Sequence, residues 1–143
     1  MMERVKASRS YLRAHRAEIA VGLLLAALTA AVALMLPRPL AAELFAVLLA
    51  LIASVYVGFG LRASRRGERK VEVATAAGFV LVALLGLWVS PYLWVAGLVG
   101  HGVWDLAHHP RGLRTEVPGW YPPFCAAYDW ALGTSVLVWI WAG

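Results

Sequence analysis

The sequence of 143 residues has few charged side chains and a single cysteine. Only 15% of its residues are Asp, Glu, Lys or Arg, whereas 62% are hydrophobic. A soluble domain usually carries about a quarter charged residues, so this composition excludes an ordinary soluble domain and indicates a membrane protein. Because Cys125 has no cysteine partner in the chain, an intrachain disulfide and a metal site built from several cysteines are also excluded.

The net charge of +5 comes from basic residues that are grouped between apolar stretches. A nucleic-acid-binding protein usually presents its basic residues as one face or stripe, whereas grouping between apolar stretches is typical of membrane loops. The three groups are Arg4–Arg16, Arg62–Lys70 and Arg111–Arg114. The sequence therefore predicts membrane lipids as partners and no nucleic acid.

Five stretches are apolar enough to be considered as membrane-spanning helices. A helix needs about 20 mostly apolar residues to cross a hydrocarbon core roughly 30 Å thick. The stretches are residues 18–36, 40–61, 71–89, 92–109 and 124–141. They predict an all-α, polytopic helical bundle of about five spans in one membrane domain, residues 1–143. Four spans is the alternative, with 92–109 as a re-entrant or interfacial helix, because that stretch is the shortest and most polar.

The orientation of the bundle follows from its basic residues, which favour the cytoplasmic side of a membrane. With five spans, all three basic groups fall at one face, and only Arg38 lies at the opposite face. We therefore expect a multi-pass protein of the cell inner membrane, with a cytoplasmic N-terminus and a periplasmic C-terminus. If the protein is a carrier, so few spans favour a homo-oligomer.

The fourth stretch ends in HGVWDLAHH, residues 101–109, which brings several ionisable side chains into an apolar segment. Such groups are costly in a membrane interior, so they need a partner or a function. Positions three, four and seven apart share a face of a helix. His101, Asp105, His108 and His109 are therefore expected in one sector of the fourth helix.

The fifth stretch places Cys125, Tyr128 and Asp129 near its start, at the same end of the bundle. A short loop joins the last two stretches, so they are expected to be antiparallel neighbours. We expect His108 and Asp129 to approach each other within the distance of one bridging ion or water. Residues of the other helices are expected to complete a polar ring at this depth, namely Glu18, Ser54, Tyr56 and Glu72.

Imidazole and carboxylate ligands suit zinc or iron, and an open coordination position would hold a reactive water. We therefore expect a divalent metal ligated by His101, His108 and His109, with Asp105 and Asp129 as catalytic bases. The expected substrate pocket consists of Trp104, Cys125, Tyr128 and Trp130. The alternative is structural: His108 and His109 meet lipid headgroups at the helix end, and Asp105 pairs with His101.

The pattern HGVWDLAHHP…PGWYPPFCAAYD, within residues 101–129, resembles small uncharacterised bacterial integral membrane proteins, and this resemblance implies no known activity. The His-x3-Asp-x2-His-His spacing loosely resembles the histidine boxes of membrane di-iron desaturases, but four histidines are too few for that pattern. It is also similar to the Asp/His zinc constellation of the ceramidase and progestin-receptor hydrolases, which have more spans and a histidine from a distant helix.

Three functions remain open at this point. The first is a metal-dependent enzyme that acts on a lipid or another apolar substrate entering from the bilayer. The second is a non-enzymatic carrier, sensor or assembly subunit that binds metal or protons. The third is an isoprenoid or sterol isomerase-like pocket, because the span count is similar to the emopamil-binding family and aromatic faces near carboxylates can hold a cationic group.

Overall fold

A computed structural model describes residues 10–11, 13–63, 65–108 and 115–143 of the chain. The described part contains five long helices and no strand. The helices are α1 (Arg16–Met35), α2 (Arg38–Arg62), α3 (Arg66–Trp88), α4 (Tyr92–Ala107) and α5 (Tyr121–Trp141). The predicted all-α class with about five helices is therefore confirmed.

Four of these helices, α1, α2, α3 and α5, are long and apolar enough to cross a membrane. The remaining helix, α4, has 16 residues, which corresponds to about 24 Å and is shorter than a hydrocarbon core of roughly 30 Å. The chain is thus a helical membrane protein, with four membrane-length helices and one shorter helix among the described residues. A full crossing by residues 92–109 stays a prediction, as does the assignment of either end to the cytoplasm.

Prolines mark the starts of three helices, α2, α4 and α5, whereas charged residues separate α2 from α3. Pro37 is the N-cap of α2, and Pro39 lies in its first turn. Pro91 is the N-cap of α4, while Pro122 and Pro123 lie in the first turn of α5. Proline is tolerated at these positions because the first amides of a helix have no intrahelical acceptor, whereas proline in a helix interior breaks the helix. A new helix therefore begins at each of these prolines.

Side-chain contacts show that the end of α2 lies beside the starts of α3 and α5. Near the end of α2, Gly60 lies so close to the start of α3 that a Cβ there would be 2.8 Å from the Cβ of Glu72. The Phe59 ring of α2 lies 5.3 Å from the Tyr121 ring at the start of α5. We call this the basic end, because α3 starts there with a charged stretch, Arg66 to Lys70, interrupted only by a glycine.

The opposite end is joined by a different contact. The Arg38 guanidinium of α2 lies 4.4 Å from the ring centre of Trp139 in α5 and donates a hydrogen bond to the Trp139 carbonyl oxygen. Between the two ends, the apolar core is filled by buried side chains that include Phe45, Leu49, Leu98 and Leu132. The buried ionisable side chains lie beyond this core, toward the basic end.

Candidate metal centre

Four side chains with metal-ligating atoms meet between α4 and α5. One donor atom from each of His101, Asp105, Cys125 and Asp129 lies within 4.8 Å of those of the other three. His101, Asp105 and Asp129 are 0% exposed, and Cys125 is also buried. We call these four residues the His/Asp/Cys cluster.

The helical repeat explains why these residues meet. His101 and Asp105 are four residues apart on α4, and Cys125 and Asp129 are four apart on α5, so each pair lies on one face of its helix. α4 ends and α5 begins at the basic end, so the two helices run antiparallel. Their polar faces turn toward each other, because exposing them to hydrocarbon would cost several kcal/mol, about 2.5–3.5 for each charged group.

The imidazole of His101 contacts both carboxylates of the cluster. Its Nδ1 atom lies 2.8 Å from Asp129 Oδ2 and 3.4 Å from Asp105 Oδ2. An ionised carboxylate only accepts hydrogen bonds, so Nδ1 carries the hydrogen and donates it to Asp129. The Tyr56 hydroxyl of α2 donates a short bond of 2.6 Å to the other oxygen of Asp105, Oδ1. Asp105 is therefore held from a third helix.

Several polar atoms of the cluster have no hydrogen-bond partner within the described part of the chain. They are His101 Nε2, Asp105 Oδ2 and Asp129 Oδ1. Leaving a buried polar atom unpaired costs about 1–3 kcal/mol, and more when the group is charged. Unpaired acceptor atoms on three neighbouring buried side chains indicate a site that a cation or additional protons complete.

The charges of the cluster also favour a bound cation. Two carboxylates face one imidazole, so the ionised acids are not balanced by His101 alone. A divalent cation would balance both. Zinc ligands lie about 2.0–2.3 Å from the ion, which puts tetrahedral donor atoms roughly 3.3–3.8 Å from one another. Donor atoms that already lie within 4.8 Å therefore fit a metal ion after a small contraction of the site.

A second buried pair joins α3 to the end of α4, and we call it the Glu72–His108 pair. His108 Nε2 lies 2.9 Å from Glu72 Oε1, and His108 Nδ1 lies 2.9 Å from the carbonyl oxygen of Trp104. A carbonyl only accepts, so Nδ1 carries one hydrogen, and a second hydrogen is shared between Nε2 and the carboxylate. Whichever of the two holds it, the pair has no net charge.

The aromatic ring of Tyr56 lies between the cluster and the pair. Its centre is 5.5 Å from the His101 ring and 4.8 Å from the His108 ring. Tyr56 is 1% exposed. Both histidines therefore pack on one side chain of α2, which fixes their separation.

The histidines predicted as metal ligands do not all have the same neighbours in the structure. His101 lies in the cluster together with Asp105 and Asp129. The structure places His101, and not His108, against Asp129, because His108 turns toward α3 and uses both ring nitrogens in other hydrogen bonds. His109 lies outside the described residues.

The predicted substrate-pocket residues do not form one pocket. Cys125 belongs to the cluster, and Trp104 packs with its ring 5.1 Å from that of His108. The hydroxyl of Tyr128 faces α1, where it lies 3.2 Å from the hydroxyl of a threonine. Trp130 is 41% exposed on the outer side of α5. The sequence prediction did not give Cys125 a ligand role, although the Cys-x3-Asp spacing already placed it on the same face as Asp129.

The predicted polar ring is only partly present. Tyr56 and Glu72 take part, as described above. Ser54 does not, because its hydroxyl donates at 2.7 Å to the Ala50 carbonyl oxygen of its own helix and is exposed. Glu18 lies 4.0 Å from His15 at the start of α1. The ring is therefore built by α2, α3, α4 and α5.

Fold and cluster together define a helical membrane protein with a buried group of side chains that could hold a metal ion. The chain belongs to the family of unknown function DUF6010, which matches it over residues 17–143. The match includes the cluster and the Glu72–His108 pair, and it assigns no activity. No curated protein and no solved structure matches the chain. The resemblance of residues 101–129 to bacterial membrane proteins stays a prediction.

Proposed function

We propose that the His/Asp/Cys cluster binds one divalent transition-metal ion and that the ion serves a reaction on an apolar substrate from the bilayer. The observation that supports this most directly is the convergence of four donor atoms within 4.8 Å at a buried position. Two carboxylates offset the charge of such an ion, which reduces the cost of burying it.

The donor set favours zinc or iron. It combines one imidazole, two carboxylates and one thiol, whereas magnesium and calcium prefer oxygen ligands alone. Cys125 supplies the soft donor of this set. When bound, such an ion would act as a Lewis acid or lower the pKa of a bound water.

The two carboxylates have different partners, which suggests different roles. Asp105 Oδ1 accepts a 2.6 Å bond from Tyr56, and Asp129 Oδ2 accepts a 2.8 Å bond from His101. The second oxygen of each carboxylate has no partner among the described residues. We assign Asp105 as the ligand held by the tyrosine and Asp129, which lies beside an imidazole, as the carboxylate that accepts a proton from the substrate.

Metal content tests the proposal. The protein is purified in detergent, loaded with Zn²⁺ or, without oxygen, with Fe²⁺, freed of unbound metal and analysed by inductively coupled plasma mass spectrometry. We expect one ion per chain in the wild type and almost none in His101→Gln and Asp129→Asn. His108→Gln is the matched control and should retain the ion, because His108 bonds Glu72 instead of the cluster. A wild type that holds no metal after loading would contradict the proposal.

Cobalt can identify the ligands individually. Co²⁺ bound to a thiolate gives a strong charge-transfer absorption in the near ultraviolet, in addition to its weaker visible bands. We expect that absorption in the wild type and its loss in Cys125→Ser, with the visible bands retained. Visible bands without the near-ultraviolet absorption in the wild type would remove Cys125 from the ligand set.

A second candidate is a metal-free proton site in a carrier, sensor or assembly subunit. The hydrogen bonds from His101 to Asp129 and from Tyr56 to Asp105 favour it, because they partly stabilise the cluster without an ion. Absence of metal from the loaded wild type would support this candidate. The isomerase-like alternative has less support, since the rings around Tyr56 pack directly on one another, with Tyr121 at 6.0 Å.

An assay for chemical change of the lipids then distinguishes an enzyme from a carrier. Protein reconstituted into vesicles of native lipid extract is incubated with and without Zn²⁺, and the lipids are compared by mass spectrometry. We expect a chemically changed lipid that depends on both the metal and Asp129. Lipids that are unchanged, with metal still bound, would leave metal binding in place and contradict the enzymatic part.

A further inference from the structure

A groove on the outer side of the bundle lies between α1, α4 and α5 and contains no residue of the cluster. Its volume is about 530 Å³, within the range of roughly 300–1,000 Å³ usual for sites of small apolar ligands. Its lining is almost entirely apolar and includes Ile19, Leu23, Leu106, Ala127, Trp130 and Ala131.

The groove follows α5. Its lining extends from Pro123 to Thr134 on that helix, a length of about 16 Å. Small side chains, Ala127 and Ala131, leave space between larger ones on the neighbouring helices. No described lining residue carries a charge. The space therefore suits an extended hydrocarbon chain.

Charged residues lie near one end of the groove along the chain. Tyr11 and Ile19 both line it, and Arg13 and Arg16 lie between them in the sequence with exposed side chains. These arginines are at the basic end, whereas Thr134 is at the other end of the groove. The same stretch also contains one acid, Glu18, which lies 4.0 Å from His15. A hydrocarbon chain in the groove would thus have two arginines and one acid near one terminus, and their net positive charge favours an anionic headgroup there.

We propose that the groove binds one acyl chain of an anionic phospholipid, with the phosphate beside Arg13 and Arg16. This inference does not depend on the metal proposal, because no lining residue of the groove belongs to the cluster. It distinguishes this groove from the remaining lipid-facing surface, where Leu34, Leu51 and Leu81 are also exposed.

Photolabelling tests the site. The protein is placed in phosphatidylcholine nanodiscs that contain a phosphatidylglycerol probe with a diazirine in its acyl chain, and the labelled residues are mapped by mass spectrometry. We expect labelling of the groove to exceed that at Leu51 and Leu81 by about five-fold if one arginine contacts the phosphate and by about thirty-fold if both do, since each basic residue near an anionic lipid contributes about 1 kcal/mol. The corresponding phosphatidylcholine probe should label the groove several-fold less.

Two variants and one control make the result specific. Ala131→Leu fills the groove and should abolish its preferential labelling, whereas Ala77→Leu on the exposed side of α3 should not. Replacement of Arg13 and Arg16 by Gln should equalise the two probes without loss of the fold, as measured by circular dichroism. Uniform labelling of all lipid-facing helices, equal labelling by the two probes in the wild type, or cross-links between two chains at the groove would overturn the proposal.

Discussion

The Glu72–His108 pair and the His/Asp/Cys cluster lie at the same end of the bundle and both contact Tyr56, but their charges are arranged differently. In the pair, one acid meets one base, and the Trp104 carbonyl oxygen fixes the hydrogen on the imidazole. In the cluster, two acids share one base. The pair therefore carries no net charge, although Glu72 Oε2 has no hydrogen-bond partner among the described residues. In the cluster, two ionised acids are offset by only one imidazole. This difference is why we assign a metal ion to the cluster and a structural role to the pair.

The largest effect that tests this comparison is expected at Glu72. Glu72→Ala removes one partner of a buried pair and leaves His108 unpaired, which should lower the free energy of unfolding by about 3–5 kcal/mol. Unfolding by SDS in mixed micelles, followed by circular dichroism, measures it. Glu43→Ala, which alters an exposed glutamate of α2, should change stability by less than about 0.5 kcal/mol. Equal effects of the two variants would show that Glu72 has no buried partner.

A double variant tests whether the Glu72–His108 pair is structural and separate from the metal ligands. Replacing both Glu72 and His108 by apolar residues of similar size should recover most of the stability, because no unpaired charge is left behind. The metal content should remain that of the wild type. If the double variant loses its metal, the pair would belong to the ligand shell, and the distinction between the two sites would fail.

The next effect concerns the residue that links the two sites. Tyr56→Phe keeps the ring but removes the 2.6 Å hydrogen bond to Asp105, which should cost about 1.5–3 kcal/mol, the usual range for a bond to a charged group. Tyr92→Phe is the control, because Tyr92 is 51% exposed. A loss of stability that is equal in both variants would mean that the Tyr56 hydroxyl does not hold Asp105.

Close packing beside the pair predicts a somewhat smaller effect. Gly60→Ala places a Cβ 2.8 Å from the Cβ of Glu72 and should destabilise the protein by about 1–3 kcal/mol, without a change in metal content. Gly58→Ala has free space around the new Cβ and should stabilise the helix by up to about 1 kcal/mol. The same assay measures both variants. A destabilisation by both would attribute the effect to the helix itself rather than to the contact with Glu72.

The sequence predicts the membrane helices well because span length and hydropathy are local properties. The boundaries are less predictable where charged residues extend a helix. α3 begins at Arg66 although the apolar stretch begins at Val71, since arginine and lysine can extend their charged ends toward water. α5 begins at Tyr121 instead of Phe124, because Pro122 and Pro123 are compatible with a first helical turn.

From the sequence, the helical repeat predicts which residues of the site share a face of one helix, and it predicts no more than that. Spacing places His101, Asp105 and His108 in one sector of α4, but it does not show which neighbouring helix each side chain meets. His101 and His108 differ by only about 20° around the helix axis, yet one contacts α5 and the other α3. The rotation of α4 between those helices depends on packing along the whole bundle, which a single sequence does not reveal.

The smallest expected effect is a gain in stability instead of a loss. It is therefore the most direct test of the difference between the cluster and the pair. In metal-free protein, Asp129→Asn removes one of two acids that share His101 while its amide oxygen can still accept from Nδ1, so stability should rise by about 1 kcal/mol. In the presence of Zn²⁺ the order should reverse, because a wild type at 100 times its Kd gains about 2.7 kcal/mol and the variant gains little. SDS unfolding with and without Zn²⁺ measures both. If Asp129→Asn destabilises the metal-free protein as strongly as Glu72→Ala does, the cluster is a self-sufficient pair like Glu72–His108, and its charge no longer supports a metal.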